Sequence, residues 1–324
     1  MPQSPVKRAT ASDVAQLAGV SRATVGYVLN RTPGQTISDE TSRRVRAAAE
    51  ELNYRPHRYA QVLASGASDI VLVVLPTWIS AHAFGDAVES GARELAEHGL
   101  SLITQVRQSD EVSPIWQSVE PLVFATFNPL TSDQIDTMHA VGIKHVLPLS
   151  ANLPGAMDGV RMQFEHLFSL GHQVLGFAAT TDPRGREISV ARTTFFSELA
   201  QAHGAQSFVE EVTLGDDSAD HAVDRWLARG VSAVAAFNDE TAAAVVRAVS
   251  RRGLSVPEDV SVIGHDDSPL AGLMIPSLST ISVDAVRFGK RLADLILMNV
   301  NHSTIGKSSA SLFSLTVRES TRHA

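Results

Sequence analysis

The sequence predicts an all-α helix-turn-helix head with a hinge helix, followed by a two-lobed α/β core of doubly wound parallel sheets. Three observations predict it. Residues 10–30 read as two short helices joined at a glycine. From Asp69 onward, short apolar runs alternate with helices that end in Gly, the pattern of parallel sheets covered by helices. Charge also divides the chain: residues 1–64 carry nine Lys/Arg and five Asp/Glu, a net of +4, and the rest carries −12, within an overall −8. A basic head on an acidic body fits a nucleic-acid-contacting module joined to something that is not one.

In the head, Thr10 is placed as an N-cap with Asp13 as its N3 acid. Val14, Leu17 and Ala18 lie at helical spacing and are expected to face inward. Gly19 can take the positive φ that ends the helix, and Ser21 then caps a second helix. There Val25, Val28 and Leu29 form the inward stripe, while Arg22, Ala23, Gly26 and Tyr27 fall on the other side, free to reach bases. A helix held in this geometry is the one that enters the major groove of DNA. A third helix, capped by Ser38, follows the Pro33-Gly34 turn, with Val45, Ala48, Ala49 and Leu52 on its apolar face. Its Arg43, Arg44 and Arg46 either meet phosphates or form a solvated face. The head spans residues 1–55. A hinge helix and linker, residues 56–68, start at Pro56 and end at Gly66 and Ser68. A helix this short is marginal in water unless something docks it. Leu63 near its end either wedges between base steps from the minor groove or packs on the body.

In the body, Ile70–Leu75 is a continuous apolar run, the mark of a parallel strand buried on both faces. Further strands are expected at Leu100–Thr104, Leu122–Phe127, His145–Leu149, Val174–Ala179, Ala233–Ala236, Val260–Ile263 and Thr280–Val283. Helices fall between them at Phe84–His98, Ser132–Val141, Val160–Leu170, Val190–His203, Ala219–Arg229 and Glu240–Arg252. In open parallel sheets a ligand sits beyond the carboxyl ends of the strands. Two such sheets facing one another make a cleft lined by residues just after each strand.

With 324 residues the chain is long enough for two or three domains, and 44% apolar content is that of an ordinary globular protein. No apolar run approaches membrane-span length, and the first residues lack the apolar core of a signal peptide. A cytoplasmic protein is therefore expected. The absence of Cys excludes disulfides, thiolate metal sites and Cys nucleophiles.

Thr10–Asn30, the Val45–Leu52 helix, Tyr54-Arg55-Pro56 and the Ala60–Leu63 hinge together resemble the DNA-binding head of LacI/GalR-family transcription regulators. The resemblance places Arg22, Ala23 and Tyr27 at base-reading positions, and Ser21, Thr24 and Asn30 at phosphate-contacting positions. Leu63 takes the place of the hinge leucine that intercalates at the operator centre. Tyr54 and His57, on either side of Arg55-Pro56, join the expected DNA-binding set. Two departures bear on the operator sequence. Gly26-Tyr27 stands where the family usually has Ser-Arg, and an Arg there would bind guanine bidentately. His57 stands in place of the usual Asn.

The body resembles the family's effector-binding core, which is periplasmic-binding-protein-like. The matching stretches are His166-Leu167 to Gly171-His172, Arg192 to Gly204, Phe237-Asn238-Asp239, Gly253–Asp267, Pro276–Ile281 and Leu315–Thr321. The resemblance implies one lobe at 69–155 plus 284–312 and another at 156–283 plus 313–324, joined by three crossovers. The family's pocket takes up ligand after the first body strand, which here brings Thr77, Trp78, His82 and Phe84. Trp78 either stacks on a flat ligand or is plain packing. Arg192 matches the pocket arginine, a donor fork suited to hydroxyls or a carboxylate; otherwise it is a helix-surface ion pair. Asn238 is expected to bind ligand and Asp239 to cap the next helix. Asp266 would accept two hydroxyl hydrogen bonds, with Asp267 capping a turn. His265 replaces a more usual aromatic or apolar residue. The Asp-Asn pair that often precedes the helix of His166 is missing here, and Val283 and Ala285 replace polar or aromatic groups of many sugar-responsive members.

An enzyme is not expected. Gly306-Lys307-Ser308 lacks the leading glycine of a phosphate loop, since position 301 is Asn301. There is no Gly-x-Ser-x-Gly elbow and no His-Glu-x-x-His, and the twelve His are scattered. The expectation is a sequence-specific repressor, a homodimer on double-stranded operator DNA. A small effector between the lobes, a sugar or related polar metabolite, controls it. No cofactor, metal or membrane partner is expected.

Overall fold

The structure, a computed structural model, describes residues 9–29, 36–54, 68–75, 81–106, 115–127, 130–149, 157–301 and 311–324. The chain divides into two units, Met1–Ser68 and Asp69–Ala324.

The first unit holds α1 (Ala11–Ala18), α2 (Arg22–Leu29) and α3 (Asp39–Glu51). Thr10 and Asp13 form a reciprocal capping box at the start of α1. Gly19, at φ 64°, ends α1, and the Ser21 hydroxyl accepts from the Thr24 N–H at 3.1 Å to start α2. Val14, Ala18, Val25, Val28, Val45, Ala48 and Ala49 form the core. Leu17 does not face inward as its spacing suggested. It is 47% exposed, because Ala15 takes the inward place beside Val14 and Ala18.

The second unit contains two four-stranded parallel sheets. The first has the order β2-β1-β3-β4, from β1 (Ile70–Leu75), β2 (Ser101–Val106), β3 (Val123–Thr126) and β4 (His145–Pro148). Helices α4 (Ala81–Glu97), α5 (Ile115–Val119) and α6 (Ser132–Ala140) connect them. The second has the order β6-β5-β7-β8, from β5 (Val174–Thr180), β6 (Gln206–Val212), β7 (Ala233–Ala236) and β8 (Ser261–Ile263). Around it lie α7 (Asp158–Ser169), α8 (Arg186–Ala202), α9 (Ser218–Ala228) and α10 (Asp239–Ser250), with α11 (Pro269–Leu273) after β8. One face of the second sheet packs Trp226, Val223 and Val245; the other packs Phe164, Leu167 and Phe196. Burial on both faces is what makes β5 and β7 almost wholly apolar.

Sequence reading named no strand at β6, where Gln206-Ser-Phe-Val-Glu-Glu-Val sits at a sheet edge with one side in water. It also named no helix at α12 (Ala285–Asn301). After β9 (Thr280–Val283), which lies outside both four-stranded sheets, the chain crosses to the first, where Leu292, Ala293, Ile296 and Leu297 of α12 pack with Val71, Val73 and Leu95. There α12 meets α4 at glycines. A Cβ on Gly91 would lie 3.0 Å from the Gly289 carbonyl oxygen, and one on Gly289 would overlap the Ala87 carbonyl oxygen. The Ser90 hydroxyl donates to the Val286 carbonyl at 2.9 Å across the same crossing. The chain then returns as β10 (Phe313–Thr316), antiparallel to β9. Residues 317–321, in the stretch Leu315–Thr321 that resembles the family's core, run beside β8, and the Val262 N–H donates to the Ser320 carbonyl at 2.8 Å. No helix among the described residues is long and apolar enough to cross a membrane.

Candidate functional site

Two candidate sites lie in the two units. In the head, the capped start of α2 presents Ser21, Arg22 and Ala23 to solvent, and Tyr27 follows one turn later at 39% exposure. Thr24 is half-buried, its hydroxyl 2.9 Å from that of Ser21. Spacing i, i+4 puts Ala23 and Tyr27 on one side of the helix. Tyr54 is half-buried against the helical core. Asn30, His57 and Leu63 lie outside the described residues. Arg43, Arg44 and Arg46 of α3 are exposed.

In the second unit the polar groups gather where β7 and β8 end. Arg192 on α8 is not a surface ion pair; it is 7% exposed. Its Nη1 donates to the Phe237 carbonyl at 2.6 Å, its guanidinium lies 4.9 Å from the Phe237 ring, and its Nε has no partner among the described residues. Burial lowers its pKa from the ordinary value, and the charge of Asp266 works the other way. Arginine stays protonated in proteins, so a buried cation faces this edge. Arg192 and Asp266 feel each other's charge, yet no ion pair joins them among the described residues. An unmatched buried N–H of a charged group costs on the order of 1–3 kcal/mol, which a bound acceptor would recover.

Asp266 follows β8 in a loop of unusual backbone. Its φ is 102° and that of Asp267 is 48°, left-handed values that cost non-glycine residues roughly 1–3 kcal/mol each and cluster at functional sites. The loop is pinned in several places. The Asp266 N–H donates to the Ile281 carbonyl, the Asp239 N–H to the His265 carbonyl, and Gly264 N–H to the Ser279 carbonyl. Asp267, expected to cap a turn, instead accepts from Arg318 Nη2 at 2.7 Å.

The cap expected of Asp239 is made by Asn238 instead. Asn238 caps α10, its Oδ1 accepting from the Thr241 N–H at 2.9 Å and the Thr241 hydroxyl at 2.7 Å. Only its amide nitrogen is left to offer a ligand. Asp239, fully buried, accepts from the Ser268 N–H and the Thr280 hydroxyl, both at 2.6 Å. It ties the start of α10 to the loop and to β9. Burial pushes its carboxyl up to about 6, against those hydrogen bonds.

Sequence reading missed Gln163 on α7. Its Nε2 donates to the carbonyls of Ala236 and Gly264 at 2.9 and 2.8 Å, bridging the ends of β7 and β8, and its buried Oε1 has no partner among the described residues. Two carbonyl acceptors fix the amide orientation. The signal was a polar residue inside the stripe Val160, Phe164, Leu167. Thr77 and Trp78 lie outside the described residues; His82 and Phe84 fall in the first turn of α4.

Residues 10–57 match the model of bacterial regulatory proteins of the lacI family, and residues 164–321 that of a periplasmic binding protein-like domain. The two matches together span more than half of the chain. The lactose operon repressor of Escherichia coli (strain K12) is 28% identical over 90% of this chain and 85% of its own length. The crystal structure of the lac repressor dimer bound to operator and an anti-inducer is 25% identical, with a TM-score of 0.75 over 98% of this chain and all of that one. A complex of the transcriptional regulator CelR with cellobiose is 25% identical, with a TM-score of 0.60 over 97% of this chain and 100% of that one. A helix-turn-helix head joined to a periplasmic-binding-protein-like core of two sheets defines a class of DNA-binding transcription regulators. The chain belongs to the LacI family of bacterial regulatory proteins.

Proposed function

We propose that the chain is a transcription repressor whose affinity for operator DNA is set by a small sugar-like ligand, held at the carboxyl edge of the second sheet where it faces the first. The observation that carries this reading is the buried Arg192, with an unpartnered Nε, near an Asp266 it does not touch. A guanidinium donor and a carboxylate acceptor held apart suit hydroxyl groups, which accept from one and donate to the other. Cellobiose in the related regulator complex is a ligand of that chemistry. On this reading the lobes run over 69–155 with 284–312 and over 156–283 with 313–324. The excursion of α12 onto the first sheet and the return of β10 to β9 support that partition.

Arg22, Ala23 and Tyr27 read bases from the exposed side of α2, while Ser21, Thr24 and Asn30 hold phosphates. Tyr54, His57 and Leu63 complete the contact set on the strength of the resemblance. Arg22 supplies the bidentate donor, and Tyr27 offers a hydroxyl and a flat ring where an arginine is usual. The repressor acts in the cytoplasm as a homodimer. Its second copy covers the apolar surface of α11 and the following turn, where Leu273 is 80% and Ile275 94% exposed beside Leu270. Exposed apolar clusters of this kind mark association sites, and the related lac repressor was solved as a dimer. Sedimentation of the full chain at micromolar concentration should give twice the chain mass; a monomer would remove the dimer.

The function itself is tested by selecting a duplex from a random pool with the purified protein, then measuring its binding with D-glucose, D-galactose, D-ribose and cellobiose. Arg22→Ala should cost about 1–3 kcal/mol on the selected duplex and little on random DNA. Arg192→Ala should bind the duplex normally and lose the sugar response. A typical coupling of about 1–3 kcal/mol makes that response a five- to hundredfold change. An undiminished response in Arg192→Ala takes Arg192 out of the site, and no selected duplex at all overturns the repressor.

A further inference from the structure

The imidazole of His265 is fully enclosed, 2% exposed, one residue from the candidate ligand acceptor. Its Nδ1 lies 2.8 Å from Asp266 Oδ1. An ionised carboxylate can only accept, so Nδ1 carries the proton and donates. The ring stands edge-on to Phe313 of β10 with centroids 5.8 Å apart. Gly159 of α7 also meets the ring: an added Cβ there would overlap His265 Nε2 and lie 3.2 Å from Phe313 Cδ1. α7 has therefore given up a side chain at 159 to admit this ring. The result is a histidine packed against α7 and β10, with its one N–H spent on Asp266.

We propose that His265 is a positioning residue for ligand recognition: it holds one oxygen of the Asp266 carboxylate so that the other, Oδ2, is presented to a ligand hydroxyl. This inference rests on the ligand-site reading given above and names the residue that sets the geometry of its acceptor. Asp266 needs such a hold, because its left-handed backbone does not by itself settle the side chain. Among the described residues Oδ2 has no protein donor, and the Asp266 side chain is 18% exposed, so one oxygen is engaged and the other is reachable.

Burial, with help from the charge of Arg192, favours the neutral ring. Burial lowers the His265 pKa most, and Arg192 on α8 lowers it further, while the bond to Asp266 raises it. The other ionisable groups nearby are Asp239 at the start of α10, itself coupled to Asp266, and Asp158 next to Gly159 on α7. For Asp266, burial disfavours the charge, but the His265 hydrogen bond and Arg192 hold its carboxyl below the usual carboxylate range. A neutral donor and an ionised acceptor are the states the lock requires.

The test uses the full chain and two readouts. Long-range 15N–1H correlation spectra should show His265 as the Nδ1–H tautomer, unchanged between pH 6 and 8, and Asp266→Asn should alter that signature. A ring titrating normally in this range, or an Nε2–H tautomer, overturns the lock whatever the ligand is. The second readout is thermal shift with D-glucose, D-galactose, D-ribose and cellobiose. His265→Asn places an amide N–H close to the Nδ1 position and should keep the wild-type sugar affinity within about threefold. His265→Leu fills the space without a donor and should weaken it at least tenfold, with binding to the selected duplex unchanged. Equal sugar affinity in wild type and His265→Leu overturns the proposal. A wild type that answers to none of the four sugars while the tautomer stands as described overturns the sugar reading and leaves the lock intact.

Discussion

Gly289→Val is expected to cost at least about 3 kcal/mol, the upper end of overpacking penalties, because the clash is with backbone and not with a side chain that can swing away. α4 and α12 touch at their main chains: a Cβ on Gly289 overlaps the Ala87 carbonyl, and Gly91 makes the reciprocal approach. Spreading the helices would pull Leu292, Ala293 and Ile296 off the first sheet. The urea midpoint should fall sharply, and circular dichroism at low temperature should show lost helix. Gly85→Ala, on the same α4 but in open space, serves as the control and should stabilise slightly, by roughly 0.5–1 kcal/mol. A Gly289→Val chain that melts like wild type would mean that the two helices do not cross where the structure places them.

Asp239→Asn is expected to remove a pH dependence of stability. The folded-state pKa of about 6 lies above the ordinary 3.8. The folded protein therefore holds this proton more tightly, and the resulting stability is present below about pH 4. It is lost as the pH rises through about 6. A difference of about two units corresponds to roughly 3 kcal/mol at most. Asparagine keeps an acceptor for the Ser268 N–H and offers an N–H to the Thr280 hydroxyl, so the tie between α10, the loop and β9 survives. Other groups also titrate, Asp266 in the opposite sense, so the quantity to follow is the variant's stability minus that of wild type. Urea titrations at pH 4.5 and 7.5 should show that difference growing in favour of Asn at the higher pH. A difference independent of pH would mean that Asp239 is not held at a raised pKa.

How much of this was legible beforehand depended on how one-sided each pattern was. Ala233–Ala236 and Thr280–Val283 emerge with the bounds their apolar runs suggested. The capping box at Thr10 and the left-handed turn at Gly19 are set by local chemistry and needed no tertiary information. β6 escaped notice because an edge strand with charged residues on its wet side looks like a loop until a neighbour is known. α12 carries a clear stripe, Gly289, Leu292, Ala293, Ile296 and Leu297, but nothing local says that it belongs to a sheet far earlier in the chain. At the candidate site, Arg192 and Asp266 were marked by the resemblance, and the structure adds their burial and separation. That Asn238 and not Asp239 caps α10 was not readable, since two adjacent polar residues at a strand end are equally good caps on paper. Gln163 and His265 are informative because of what surrounds them: two carbonyl ends in one case, an empty glycine position in the other.

The route of the chain through α12 also constrains how the protein is made. Val71, Val73 and Leu95 belong to segments that leave the ribosome early, yet the helix that covers them is translated only after the whole second sheet. The first half must wait with an apolar face uncovered until α12 is made, and the second must wait longer still, for β10 and the residues that run beside β8. Growth from the ribosome thus leaves both halves open until synthesis is nearly over, and they close in the order in which they began.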